Sequence, residues 1–151
     1  MNRALPSLLD VNVLIALMDP LHIHHESAHR WWARDTGKAW ATCAITENGL
    51  ARVLTQMRYP NRVDTVAEAL SLLGQWKGAH ASTHRWWPCD VSLTDQALFE
   101  ADKILGHRSV TDVYLLGLAR RQGGRVASFD RSWPWEALVG GSSDLVELLG
   151  G

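Results

Sequence analysis

The chain has 151 residues, 46% of them hydrophobic and 21% charged, with 15 Lys plus Arg against 16 Asp plus Glu for a formal net charge of −1. This balance excludes a disordered or fibrous chain, and it excludes a uniformly basic nucleic-acid binder, so a polyanion would have to be met by local clusters of Lys and Arg. The two cysteines, Cys43 and Cys89, make no CxxC pair and read as buried thiols in a reducing compartment rather than a disulfide framework.

At the N-terminus, Arg3 before an apolar stretch imitates a secretory leader, but Asp10 and Asn12 interrupt the run and no small-residue cleavage site follows. No apolar run nears the ~18 residues that span a bilayer. The expectation is one cytoplasmic domain over residues 1–151. Residues 5–10 read as a short buried strand, and 12–18 as a helix ended by Asp19-Pro20. Residues 22–35 have helical spacing with Ala28, Trp31 and Trp32 on the apolar side, and "AWATC" (39–43) reads as a second strand. Thr46 can cap a helix running to about Met57, and Tyr59-Pro60-Asn61 breaks the chain before an amphipathic helix over 63–77. A short third strand falls within 85–93, and Ser92 or Thr94 caps a helix predicted to reach Leu105. Thr111 opens a helix over 112–122 ended by Gly123-Gly124, and "RVASFD" (125–130) is a fourth strand. "LVELL" (145–149) fits either a last strand or a helical turn. Strands alternating with helices predict the α/β class, with a central parallel sheet covered on both faces.

Four acids then share one kind of position. Asp10 and Asp130 end the first and fourth strands, while Glu47 and Asp112 sit where helices begin. In a parallel sheet the C-terminal strand ends share one edge, and the helices that follow start there, so all four can converge. A hydroxyl or amide stands near each: Asn12 near Asp10, Thr46 beside Glu47, Thr111 beside Asp112 and Ser128 near Asp130. Two carboxylates ~5 Å apart repel by about 3 kcal/mol at an effective dielectric of 20. Four therefore demand either protons or a divalent cation. All-oxygen donors favour Mg²⁺ or Mn²⁺, and such sites suit phosphodiester hydrolysis. Taken singly, each acid is explained as a helix cap or dipole partner; their joint placement points to a site.

The segments "LLDVNVLIAL", "TENGLARVL", "HRSVTDVYLLGLARRQGG" and "RVASFDRSW" resemble, in order and spacing, the PIN-domain family and within it the VapC-type toxins of toxin–antitoxin pairs. The resemblance implies a three-layer α/β/α fold with a central parallel sheet and a Mg²⁺- or Mn²⁺-dependent endoribonuclease. It carries the catalytic and metal-binding roles to Asp10, Glu47, Asp112 and Asp130, with Asn12, Thr111 and Ser128 in support. It also implies an RNA substrate cut to leave a 5′-phosphate and a 3′-hydroxyl, a cognate VapB-type antitoxin and a homodimer. The chain departs from the common pattern at Val11, where many members carry Thr or Ser, and at Ser128, where many carry Thr.

Other patterns compete. His25-Glu26-x-x-His29 matches the zinc-protease signature, although a solvated helix face explains the same spacing. A PIN-like fold that only binds RNA or a protein partner is a further alternative. Of the eight tryptophans, Trp133 and Trp135 follow Asp130 most closely and are candidates for the site edge or a partner contact. Arg108, Arg121 and Arg131 are candidates to line an RNA groove.

Overall fold

The structure, a computed structural model, describes residues 5–34 and 37–150. Arg3 of the leader-like N-terminus, Asp35 at the predicted end of the second helix and the extreme ends of the 1–151 unit lie outside them. The chain runs β1 (Ser7–Leu9), α1 (Val11–Met18), α2 (His25–Arg34), β2 (Trp40–Thr42), α3 (Ala44–Leu54), α4 (Val66–Ala79), β3 (His84–Trp86), α5 (Val110–Arg121), β4 (Arg125–Ser128) and β5 (Val146–Leu148). The strands form one sheet in the order β3-β2-β1-β4-β5, with every adjacent pair parallel.

Period-2 alternation divides the core in two. Leu8, Ala41 and Val126 face a cluster built with Val113, Leu116 and Leu118 of α5. Leu9, Trp40 and Ala127 face a cluster that draws on α1, α3 and α4 through Leu14, Leu50 and Leu73. The result is the expected α/β/α layering around a parallel sheet. The "LVELL" segment resolves into a short 3₁₀ turn (Ser143–Leu145) followed by strand β5.

Two glycines set how closely helices approach the site. A Cβ at Gly49 of α3 would stand 2.6 Å from Cγ2 of Val11, so α3 seats against the first turn of α1 only because both residues are what they are. A Cβ at Gly117 of α5 would stand 2.1 Å from Cζ of Phe99, whose ring crosses that helix.

The second contact explains the largest departure from expectation. The helix predicted to reach Leu105 does not form; residues 93–94 and 96–98 are turns, Phe99 is a bridge residue, and a 3₁₀ turn follows at Ala101–Lys103. Ser92 Oγ accepts from Thr94 N at 3.1 Å and Asp95 Oδ1 from Ala97 N at 3.0 Å, side-chain bonds that compete with helical ones. Phe99 then makes an antiparallel bridge to Leu138, flanked by Glu100 N–Ala137 O at 2.8 Å and Val139 N–Leu98 O at 3.0 Å. Two smaller corrections concern α3 and the thiols. Cys43, not Thr46, is the N-cap of α3; Thr46 sits three residues in and its Oγ1 accepts from Cys43 N at 3.1 Å. Cys43 is buried as expected, but Cys89 is exposed.

Candidate active site

The first strand ends by delivering Asp10 to the C-terminal edge of the sheet. Its backbone N–H completes the β1–β4 pairing on Ala127 O at 3.0 Å, and its side chain caps α1, with Oδ1 accepting from Val11 N at 2.9 Å. Oδ2 accepts from the fully buried Ser128 hydroxyl at 2.7 Å. Ser128 Oγ in turn accepts from Asn12 Nδ2 at 3.2 Å and from Asp130 N at 3.0 Å. Asn12 Oδ1 closes the loop by accepting from Phe129 N at 3.2 Å. Asn12 therefore acts on Asp10 through Ser128, not directly. One hydroxyl holds together two acids 120 positions apart in sequence. These bonds lower the Asp10 pKa, but burial outweighs them and the carboxyl is held above its usual range.

Asp112 stands in the first turn of α5, close enough to the other two aspartates to feel both. Burial, then the charges of Asp10 and Asp130, push its pKa up from 3.8 to about 6. Asp130 is exposed beyond the end of β4, with Oδ1 accepting from Ser132 N at 2.9 Å. Thr111 is exposed beside Asp112, and among the described residues no hydrogen bond links its hydroxyl to an acid.

Glu47 has a separate set of partners. Its Oε2 accepts from Thr42 Oγ1 at 2.6 Å and pairs with Lys77 Nζ of α4 at 2.8 Å, and Thr42 Oγ1 lies 2.8 Å from His84 Nε2. The sequence reading did not single out Thr42, Lys77 or His84. Lys77 lies 30 positions from Glu47, and no local pattern connects them. Among the described residues, no three His, Cys, Asp or Glu side chains form a ready-made metal cage. The donor chemistry nevertheless fits a hard divalent cation: Asp10, Asp112 and Asp130 offer only oxygens, and burial with like charge raises Asp10 and Asp112, an unfavourable state that such a cation relieves.

The competing patterns resolve differently. His25 Nδ1 donates to Ala16 O at 2.7 Å and His29 Nε2 to Leu17 O at 2.8 Å, with the rings 4.3 Å apart. The two histidines thus satisfy the last carbonyls of α1. Both rings are half-buried against α1 rather than lying on a solvated face. Trp133 is buried at 6% exposure and belongs to the core, so it offers no stacking face. Trp135 packs partly buried against the same cluster. Arg121 lies at the far end of α5 from Asp112, 3.7 Å from Asp95, and does not line the acidic edge; Arg108 and Arg131 are exposed nearer to it.

A parallel sheet with helices on both faces, and acids gathered beyond the ends of β1 and β4, defines an α/β/α protein with an acid-lined sheet edge. Comparison with known proteins narrows the class. The PIN domain family model matches residues 7–134. Over 143 residues the chain is 41% identical to "Ribonuclease VapC44" of Mycobacterium tuberculosis, covering 95% of this chain and 99% of that one. It is 39% identical to "Ribonuclease VapC39" of the same organism over the same shares. The crystal structure of Mycobacterium tuberculosis VapC20, a toxin that cleaves the sarcin–ricin loop, matches with a TM-score of 0.56 at 15% identity, covering 83% of this chain and 88% of that one. That last likeness speaks for the fold alone. The chain belongs to the PIN-domain family, among its VapC-type members.

Proposed function

We propose that the chain is a metal-dependent endoribonuclease, the toxin of a toxin–antitoxin pair. It hydrolyses RNA phosphodiester bonds at the edge formed by Asp10, Asp112 and Asp130, with Glu47, at the start of α3, as the fourth acid. The observation that carries this reading is the Ser128 hydroxyl joined to both Asp10 and Asp130, with Asp112 in the first turn of α5 near enough to feel both charges, in a fold whose relatives are named ribonucleases. Asp10, Asp112 and Asp130 would hold Mg²⁺ or Mn²⁺. Held there, such an ion would activate water and stabilise charge on the phosphate and the leaving oxygen.

The remaining work falls to the chain itself. Ser128 fixes the Asp10 carboxylate, and Asn12 fixes Ser128. The α5 N-terminus favours the ionised form of Asp112 once its repulsion is relieved. Glu47 is the fourth acid of the reading. It helps position or deprotonate the attacking water; the bond from phosphorus to the 3′-oxygen breaks and that oxygen takes a proton from solvent, leaving a 5′-phosphate and a 3′-hydroxyl. Residues 1–151 would act as one catalytic unit, a homodimer in the cytoplasm silenced by a cognate VapB-type antitoxin. Among the described residues no helix is long and apolar enough to cross a membrane.

The test is cleavage of total RNA with end-mapping of the products. Asp10→Asn and Asp112→Asn should each cut Mg²⁺-dependent cleavage by ~100-fold or more, the scale of losing an electrostatic partner of the transition state. EDTA should abolish cleavage by wild type. Full metal-dependent activity in either variant overturns the site.

A further inference from the structure

Trp86 is the one exposed tryptophan of the eight, at 50%. It is the last residue of β3, an edge strand, and pairs in register with Thr42 of β2. Thr42 bonds Glu47 Oε2, and the Lys77 ammonium lies 2.8 Å from that same oxygen and 5.6 Å from the centre of the Trp86 ring. One ammonium therefore contacts both the indole and the acid. Strands in a sheet lie about 4.8 Å apart, so β3, two places from β1, brings Trp86 roughly 10 Å along the C-terminal edge from Asp10.

Beyond the Lys77–Glu47 pair, the strand carries one further cation. Arg85 is exposed, and its Nη1 bonds the carbonyls of Ser82 and His84 at 3.4 and 3.0 Å. An edge strand carrying such charges resists pairing with a copy of itself, because the same cations would meet. It suits a polyanion with exposed aromatic faces.

We propose that Trp86 is a base-stacking platform for an unpaired nucleotide of the RNA strand beside the cut, with Lys77 next to the ring and Arg85, on the other face of this edge strand, open to the phosphates that run past it. This rests on the ribonuclease reading and adds to it a residue that would hold one nucleotide by its free face, which bases stacked within a duplex do not present.

The experiment measures anisotropy of a labelled, mixed-sequence single-stranded RNA oligonucleotide in EDTA, so that binding is read without cleavage. Trp86→Ala should weaken binding about five- to a hundredfold, and Trp86→Phe should keep most of the affinity, as stacking requires. Arg85→Ala should lower the slope of log K against log salt by about 0.7, the value for one phosphate on a single strand. Wild-type affinity in Trp86→Ala overturns the platform, as does an equal loss in Trp86→Phe. A loss accompanied by altered sedimentation assigns the edge to a second copy of the chain and overturns it too. Asp10→Asn separates the two readings. If it cuts RNA at the wild-type rate, the catalytic assignment falls; if it is inactive while Trp86→Ala binds normally, only the platform falls.

Discussion

Asp112 carries a measurable consequence of its position. Its folded-state pKa, raised from 3.8 to about 6, lies above the value it has unfolded, so folding favours its neutral form. The stability this lends is fully present below about pH 4 and is lost as pH rises through 6. Asp112→Asn removes the ionisation. In EDTA, its melting temperature relative to wild type should therefore climb between about pH 4 and pH 7. Because the group is only half buried, solvent screening reduces the effect to about 1 kcal/mol, or ~2–4 °C. A difference that stays flat across that range would show that Asp112 is not strained. At this scale the sequence made the acids visible, because each stands at an element end in an otherwise apolar context. Their partners were not visible. Ser128 meets Asp10 across 118 positions and Lys77 meets Glu47 across 30, and neither distance has a local signature.

Between elements, the histidine pair shows how one spacing serves two purposes. An i, i+4 pair on a helix matches a zinc motif, and it also presents two ring N–H groups to the end of a neighbouring helix. Here α2 uses that geometry to cap α1 at Ala16 and Leu17. His25→Ala and His29→Ala should each cost about 1 kcal/mol, a melting shift of ~2–4 °C, without changing RNA cleavage. Loss of cleavage in a folded His25→Ala protein would reopen the metal reading. Helices were legible wherever a single face is buried, as in α4, though that helix starts at Val66 after its Thr65 cap rather than at Val63. The helix expected before Leu105 failed because Leu98 and Phe99 are apolar for a tertiary reason. Phe99 is buried across Gly117, and its backbone bridges Leu138. A four-residue apolar spacing cannot distinguish that from a helix face.

Across the whole molecule, alternating strands and helices were enough to predict the layered parallel sheet, since βαβ crossovers leave few other arrangements. The order of the strands was not readable in the same way, because it depends on which distant segments pair. If a cation is bound by the folded acids and not by the unfolded chain, Mg²⁺ should stabilise wild type by about 1.4 kcal/mol at ten times its dissociation constant, or ~3–6 °C. Asp10→Asn should lose most of this shift in the same calorimetric scan, and an undiminished shift would place the ion elsewhere. The pairing of β1 with β4 has a further consequence, in the order of synthesis. β1 leaves the ribosome well before its partner β4, Arg125–Ser128. Until that segment emerges, Asp10 has neither the Ala127 carbonyl nor the Ser128 hydroxyl that fixes it. A chain made only as far as α5 thus carries Asp10 without the contacts that hold it beside Asp130 in the folded protein.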